Sequence, residues 1–166
     1  PWSFNNKVAL IGDAAHAIVP YYGQGMNCGF EDCAELHALI AEYDHDWDKI
    51  LLAYENQRKP NADAIAELAV RNFREMSDLS GDPAFQIRKK IEAKFSDRYP
   101  ELWTPLYSMV TFSPDVPYSE ALRVGDVQNE VMERVMALPN IEEDWDEQYV
   151  MDRLHGWASE SFGESP

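Results

Sequence analysis

The stretch Lys7-Val-Ala-Leu-Ile11, followed by Gly12-Asp-Ala-Ala-His16, decides how this chain is expected to fold. Its first half is a short apolar run with β-branched residues, bounded by polar residues before it and by Gly-Asp after it, which predicts a buried β-strand. A single buried strand needs neighbouring strands. Downstream, only Leu106 to Phe112 has a strand-like composition, within a proline-rich span from Glu101 to Pro117 that we expect to be extended or looped. We therefore expect a piece of a larger protein whose sheet lies upstream.

Composition and charge exclude several classes of protein. The chain has 166 residues, of which 45% are hydrophobic, which is enough for one domain with a core and argues against wholesale disorder. Its formal net charge of −16 opposes binding to nucleic acid or to an anionic membrane surface. No apolar run approaches the roughly 20 residues of a membrane helix, and the start of the chain lacks the pattern of a signal peptide. We expect a soluble, cytoplasmic protein.

The rest of the chain follows helical spacing, with apolar residues three and four apart. A first helix is expected from near Gly25 to Tyr43, and a second one until Pro60, where the missing backbone donor forces a kink or a new helix. Further helices are predicted over residues 61–77, 83–99 and 119–138. The acidic cluster from Glu142 to Glu147 is expected to begin the last helix, because negative charge suits the positive end of a helix dipole. The predicted fold is mainly α, with one or two strands.

The residues after the strand have the chemistry of a ligand-binding loop. An aspartate at the end of a strand, Asp13, is well held and accepts hydrogen bonds from ligand hydroxyls. Gly23 and Gly25 allow the backbone to approach a ligand closely. The helix that begins near Gly25 presents free N–H groups and a positive dipole end, which favour negative charge in the ligand.

In their order and spacing, Gly12-Asp13-Ala-Ala-His16, Pro20, Gly23-Gln24-Gly25 and Asn27 resemble the second flavin-binding motif of the class A FAD-dependent aromatic hydroxylases. The resemblance implies FAD as cofactor, and a chain that forms the C-terminal part of an α/β, Rossmann-like flavoprotein fold. In that family the equivalent of Asp13 binds the ribityl chain, and the equivalents of Met26 and Asn27 contact the flavin near its pyrimidine edge. The implied cofactor-binding residues are Gly12, Asp13, Pro20, Gly23, Gln24, Gly25, Met26 and Asn27.

Later segments narrow the resemblance to the kynurenine-hydroxylating branch of this family. Arg58-Lys-Pro-Asn-Ala-Asp63 and Pro105-Leu-Tyr-Ser-Met-Val-Thr-Phe-Ser113 carry it. It implies a monooxygenase of tryptophan catabolism that hydroxylates L-kynurenine at C3 with NADPH and O2, through chemistry performed by the flavin and not by a catalytic side chain. The implied substrate-binding residues are Asn72 and Tyr107 for the amino-acid carboxylate, with Tyr21, Tyr22 and Met76 around the aromatic ring.

Asn72 is a candidate functional residue even without the resemblance, because this polar residue lies on an apolar helical stripe with Ile65, Leu68 and Met76. A buried amide that lacks partners costs about 1–3 kcal/mol, so Asn72 needs a hydrogen bond. From the residues alone, the favoured interpretation is a core asparagine bonded to backbone, with Tyr107 as a core tyrosine. The resemblance instead makes the substrate carboxylate the partner of both.

The resemblance also predicts how the chain is divided. Residues 1–44 would complete an upstream Rossmann-like domain, residues 45–138 would form a helical substrate-side region, and residues 139–166 an acidic helix and tail. Because the first dinucleotide fingerprint belongs to a missing N-terminal half, we expect the chain alone to be inactive. Two alternatives stay open: an FAD monooxygenase for a phenol or salicylate, and an autonomous helical interaction module with a vestigial flavin motif.

The cysteines and histidines give no metal signal by spacing. Cys28 and Cys33 are expected to be reduced thiols, with Cys33 as a small core residue. His16 is interpreted as a structural histidine of the loop.

Eukaryotic members of the family carry a C-terminal membrane anchor, and since this chain ends without one we expect a bacterial-type form.

Overall fold

The computed structural model describes residues 1–5 and 7–163, and it contains a single two-stranded sheet in that part of the chain. β1 (Ser3–Phe4) pairs antiparallel with β2 (Val8–Ala9), with Ser3 opposite Ala9 and Phe4 opposite Val8. The predicted strand therefore forms, but the prediction that it is buried is wrong for this chain. Val8 is 58% exposed, and Leu10 and Ile11 are exposed as well, because only one short strand pairs with it and no described element covers these side chains.

Helices make up most of the structure, which confirms the mainly α class with one or two strands. A 3₁₀ turn at Gly12–Ala14 precedes the first helix, and a π-helical turn at Glu75–Leu79 follows the second. The helices are α1 (Gly25–Glu42), α2 (Trp47–Arg74), α3 (Pro83–Arg98), α4 (Leu106–Phe112), α5 (Tyr118–Met136), α6 (Ile141–Asp144) and α7 (Gln148–Phe162).

The structure narrows one sequence-based expectation about helices and shows that another is wrong. Of the two alternatives at Pro60, a kink or a new helix, the new helix does not form, because α2 runs through Pro60 with buried residues such as Tyr54 and Ile65 on both sides of it. Leu106 to Phe112 is helical and not extended. Its β-like composition is overridden by packing, because the helix buries the side chains of Met109 and Val110.

Local signals located other helix ends correctly. The Asp82 carboxylate accepts hydrogen bonds from the backbone N–H groups of Ala84 (2.7 Å) and Phe85 (3.2 Å), and Pro83 occupies the first helical position of α3. The acidic cluster behaves differently from the prediction: it occupies α6 and the following turn, and α7 begins only at Gln148. Glu147 has an extended backbone (ψ 149°), which separates the two helices.

The chain divides into two compact units. The first unit comprises residues 1–73 and 117–119, and the second comprises residues 74–116 and 120–166. The three functional segments predicted from the sequence describe a different division and remain predictions. The large buried side chains of the first unit include Trp2, Leu39, Ile50, Tyr54, Ile65 and Leu68, and those of the second include Ile91, Phe95, Trp103, Met132, Met151 and Leu154.

Candidate flavin-binding site

The loop after β2 takes a sharp turn at Gly12, whose φ of +57° lies in the left-handed region that favours glycine. The turn continues as the 3₁₀ helix, which packs against α1 and carries the exposed Asp13. The approach is close, since a Cβ atom on Gly29 would lie 3.8 Å from the Cα atom of Gly12. The loop and the first turns of α1 therefore form one surface.

The N-terminal tip of α1 is open to a ligand. The chain enters it through Gly23, with φ +69°, and within the described chain no side chain caps the helix at Gln24. Met26 is 71% exposed, and Asn27 is exposed beside it. A Cβ atom on Gly12, Gly23 or Gly25 would meet no described atom within 4 Å. An uncapped helix tip that faces open space fits an electron-rich group such as the pyrimidine edge of a flavin.

One predicted cofactor residue, Gln24, lies beneath this surface. It is buried, and its side-chain oxygen accepts a hydrogen bond of 2.8 Å from the Nδ2 atom of Asn27. Gln24 therefore fixes the side chain of Asn27 at the tip. Pro20 is exposed on the segment that leads to Gly23. Contact of the predicted residues with FAD stays a prediction.

A buried carboxylate, Asp32, ties the loop to the two long helices. It is completely buried on α1 and accepts hydrogen bonds from the backbone N–H of Gly12 (3.0 Å) and from Nε of Arg58 (2.8 Å). The Nε2 atom of His16 lies 2.5 Å from its Oδ2 atom. Burial by itself would raise the pKa of the Asp32 carboxyl, but the hydrogen bonds from Arg58, His16 and Gly12 outweigh burial and hold that pKa below its usual range.

Arg58, on α2, is the cation at the centre of this cluster. Besides Asp32, its Nη2 atom donates to the backbone carbonyl of Cys28 (3.1 Å) and pairs with Oε2 of Glu31 (3.0 Å). The planar fork of a guanidinium can serve these acceptors at once, which a lysine cannot do.

The first turn of α5 completes the cluster. The hydroxyl of Tyr118 donates to Oε1 of Glu31 (2.9 Å) and lies 3.4 Å from the side-chain oxygen of Gln24. Burial, with the nearby Glu31 carboxylate, raises the pKa of Tyr118 above its ordinary range. We call the six side chains joined in this way the Arg58 network: His16, Gln24, Glu31, Asp32, Arg58 and Tyr118.

Sequence reasoning missed the ionic part of the Arg58 network. Arg58 stands in a quoted segment and Asp32 in the first predicted helix, but neither residue was assigned a role. A usable signal existed for Arg58, because it lies four residues from Tyr54 and from Ala62 on the buried stripe of α2, where a charged residue needs a partner. The structural interpretation of His16 agrees with its burial against Asp32 and with the packing of its ring 5.4 Å from that of Trp2.

Three potential metal ligands do come together, although their spacing in the sequence did not suggest it. Ligand atoms of His16, Cys28 and Asp32 lie within 4.8 Å of one another. Arg58 donates to both the Asp32 carboxylate and, at 3.4 Å, the Sγ atom of Cys28, so a cationic group already serves these acceptors. Burial raises the pKa of the Cys28 thiol to about 11, which disfavours the thiolate that a metal requires. The cluster is built for hydrogen bonding.

The burial of the two cysteines differs from the prediction. Cys28 is buried and Cys33 is exposed, so the prediction that Cys33 is a core residue is wrong. The two residues are five apart on α1, and the face that packs inward is that of Cys28, Asp32 and Leu39.

This placement predicts the thiol chemistry of the chain. A thiol-specific reagent should modify Cys33 and not Cys28 in the native protein, because only a solvent-accessible thiol with a reachable thiolate reacts quickly. Mass spectrometry of native and denatured samples, digested after labelling, measures this. Cys33→Ser should abolish fast native labelling at α1, and fast labelling of Cys28 in that variant would contradict the buried position.

The predicted substrate residues fall in both units. In the first unit, the Nδ2 atom of Asn72 donates a hydrogen bond of 2.9 Å to the backbone carbonyl of Tyr21, whose ring packs 4.5 Å from that of Phe73. Asn72 is half-buried, so the expectation of a fully buried amide is wrong, whereas its bond to backbone matches the alternative interpretation. Tyr22 is buried. In the second unit, Met76 is exposed on the π-helical turn, and Tyr107 is half-exposed on α4.

Comparison with known proteins finds a family match in the first part of the chain. Residues 1–69, which hold the strand, the loop, α1 and most of α2, match the family described as FAD binding domain. No helix in the described residues is both long and apolar enough to span a membrane.

Several relatives carry the same name. The chain is 56% identical to proteins named kynurenine 3-monooxygenase from Christiangramia forsetii and Flavobacterium johnsoniae, over 93% of this chain and 34% of each relative. The protein of the same name from Caenorhabditis elegans is 43% identical over 82% of this chain and 29% of the relative. The chain thus spans about a third of the length of the curated relatives it matches. The resemblance to kynurenine 3-monooxygenases, within the FAD-dependent monooxygenases, is confirmed.

Proposed function

We propose that this chain supplies the second flavin-binding motif, and residues of the substrate side, of an FAD-dependent monooxygenase that hydroxylates L-kynurenine at C3 with NADPH and O2. The names of the relatives support the substrate. The observation that carries the proposal is the uncapped tip of α1 beside the Gly12–Ala14 turn, with open space at Gly12, Gly23 and Gly25. The proposal assigns the reaction to the longer protein and not to these 166 residues alone.

The residues of the site fit an isoalloxazine and its ribityl chain. When bound, FAD supplies the redox and oxygen-transfer chemistry. The exposed carboxylate of Asp13 can accept hydrogen bonds from ribityl hydroxyls. The uncapped N–H groups of the first turn of α1 would stabilise negative charge on the pyrimidine side of the flavin, which increases on reduction. Met26 can pack on the flavin edge and exclude water from it.

The substrate side rests on fewer contacts. Asn72 holds the backbone of Tyr21 in place, and this bond positions the Tyr21 ring against Phe73. We assign Asn72 to the substrate carboxylate, and Tyr21 and Tyr22 to the ring. For Met76 and Tyr107 the assignment rests on the resemblance alone.

The experiment is a titration of the full-length flavoprotein with L-kynurenine, followed by the absorption spectrum of the flavin. We expect a saturable spectral change with L-kynurenine, and Asn72→Ala should weaken the apparent Kd about tenfold because a hydrogen bond to a charged carboxylate is lost. Asn56→Ala, an exposed asparagine of α2, is the matched control and should leave the Kd unchanged. A spectrum that responds to salicylate and not to L-kynurenine would favour the other aromatic substrate class.

A further inference from the structure

We propose that Tyr118 is a positioning residue for the flavin-facing tip of α1, acting through Glu31 and the other members of the Arg58 network. The inference rests on the proposed function, because it takes the tip of α1 as the surface that meets FAD. Tyr118 itself touches neither cofactor nor substrate in this proposal. It acts by fixing the face of α1 that lies beneath the tip.

Tyr118 braces two turns of α1 at once. Gln24 and Glu31 are seven residues apart, which places them on the same face of the helix, and the Tyr118 ring lies buried with its hydroxyl within reach of both. The hydroxyl has one proton, and the shorter contact shows that Glu31 receives it. Gln24 in turn holds the side chain of Asn27 at the tip. The Tyr118 hydroxyl thus bonds α1 at Glu31 and lies next to Gln24, the residue that orients Asn27 at the tip.

α2 holds Tyr118 in its place. The residue that follows it, Ser119, donates from both its backbone N–H (3.1 Å) and its hydroxyl (2.9 Å) to the side-chain oxygen of Asn61. Asn61 and Arg58 are three residues apart, so the same side of α2 anchors Ser119 and pairs with Glu31. Two neighbouring turns of α2 therefore hold the Tyr118 segment and its partner Glu31.

The loop end of the site is connected to the same network. Arg58 bonds Asp32, and Asp32 accepts from the N–H of Gly12, the residue before Asp13. A continuous set of hydrogen bonds thus runs from the Gly12 turn, through Asp32, Arg58 and Glu31, to Tyr118. The network sets the turn and the tip of α1 relative to one another, which is the geometry that a bound flavin must match.

Tyr118→Phe distinguishes an effect on the position of the α1 tip from an effect on the stability of the protein. It removes one oxygen and keeps the ring, and Glu31 retains its ion pair with Arg58 and a side chain that is 43% exposed to water. In the full-length protein we expect FAD to bind about fivefold more weakly, as measured by quenching of flavin fluorescence, with a shifted flavin midpoint potential. The melting temperature of the apoprotein should change little.

Tyr149→Phe is the matched control. The Tyr149 hydroxyl donates to the Asp144 carboxylate at 3.0 Å, so the same chemistry is removed, but from an exposed position of the second unit. FAD affinity and midpoint potential should stay at the wild-type values in this variant.

A double-mutant cycle gives an independent readout. Glu31→Ala removes the acceptor of the Tyr118 proton, so adding Tyr118→Phe to it should cause little further loss of FAD affinity. Additive effects would overturn the inference, as would an unchanged FAD affinity and potential in Tyr118→Phe. Should Tyr118→Phe not fold, Glu31→Ala with unchanged flavin properties would overturn it equally. A wild-type protein that does not bind FAD would instead reject the proposed function.

Discussion

Replacing Arg58 with alanine is expected to lower the free energy of unfolding by about 3–5 kcal/mol, because removing one partner leaves buried charge unpaired. The Arg58 side chain is 8% exposed, and the Asp32 carboxylate that it serves is completely inaccessible. The loss also leaves the carbonyl of Cys28 without this donor. Urea denaturation of the full-length protein, followed by tryptophan fluorescence and circular dichroism, measures the change.

The neighbouring residue provides the control for Arg58. Lys59 carries the same charge but pairs with Asp63 on the exposed side of α2, and Lys59→Ala should change stability by no more than about 0.5 kcal/mol. Arg58→Lys retains the charge but not the fork, so an intermediate loss is expected. Equal stability of Arg58→Ala and Lys59→Ala would show that the Arg58 network does not hold the first unit together.

Asp13→Ala is expected to weaken FAD binding by about 10- to 100-fold in the full-length protein, which corresponds to about 1.5–3 kcal/mol for hydrogen bonds to a charged group. Asp13 is exposed on the 3₁₀ turn, so its removal should leave the core of the first unit intact. The Kd follows from quenching of flavin fluorescence on titration of the apoprotein with FAD.

Asp48→Ala controls for the loss of one negative charge, since Asp48 is also exposed, in the first turn of α2. It should bind FAD as the wild type does. If Asp13→Ala also retained wild-type affinity, Asp13 would not be the ribityl-binding residue, and the assignment of the Gly12–Ala14 turn to the cofactor would fail.

What the sequence could predict of the fold depended on local signals. The start of α3 followed from Asp82 and Pro83, because a cap acts on the residues next to it. The conformation of Leu106 to Phe112 could not be predicted in this way. Its composition favours a strand, whereas the structure has a helix that buries Met109 and Val110. The exposed strand Val8–Ala9 differs from its predicted burial because burial depends on neighbours, which a strand's own sequence does not contain.

The candidate site likewise has a part that local sequence signals predict and a part that they do not. Gly12, Asp13 and Gly23 to Asn27 were predicted because the motif is contiguous and its glycines mark a turn and a helix tip. The bonds of the Arg58 network join residues far apart in sequence, 26 residues for Arg58 and Asp32 and 87 for Tyr118 and Glu31. No local pattern encodes such pairs, and only the unusual charge on a buried helical stripe pointed to one of them.

The bond between Ser119 and Asn61 has a practical consequence for dissecting the chain. The polypeptide passes between its two units at residues 73–74, 116–117 and 119–120, so neither unit is a continuous segment. Cleavage after residue 73 would deprive Glu31 of the Tyr118 hydroxyl and Asn61 of both donors from Ser119. A recombinant version of the first unit should therefore retain Pro117–Ser119, either through the native connection or through an engineered linker.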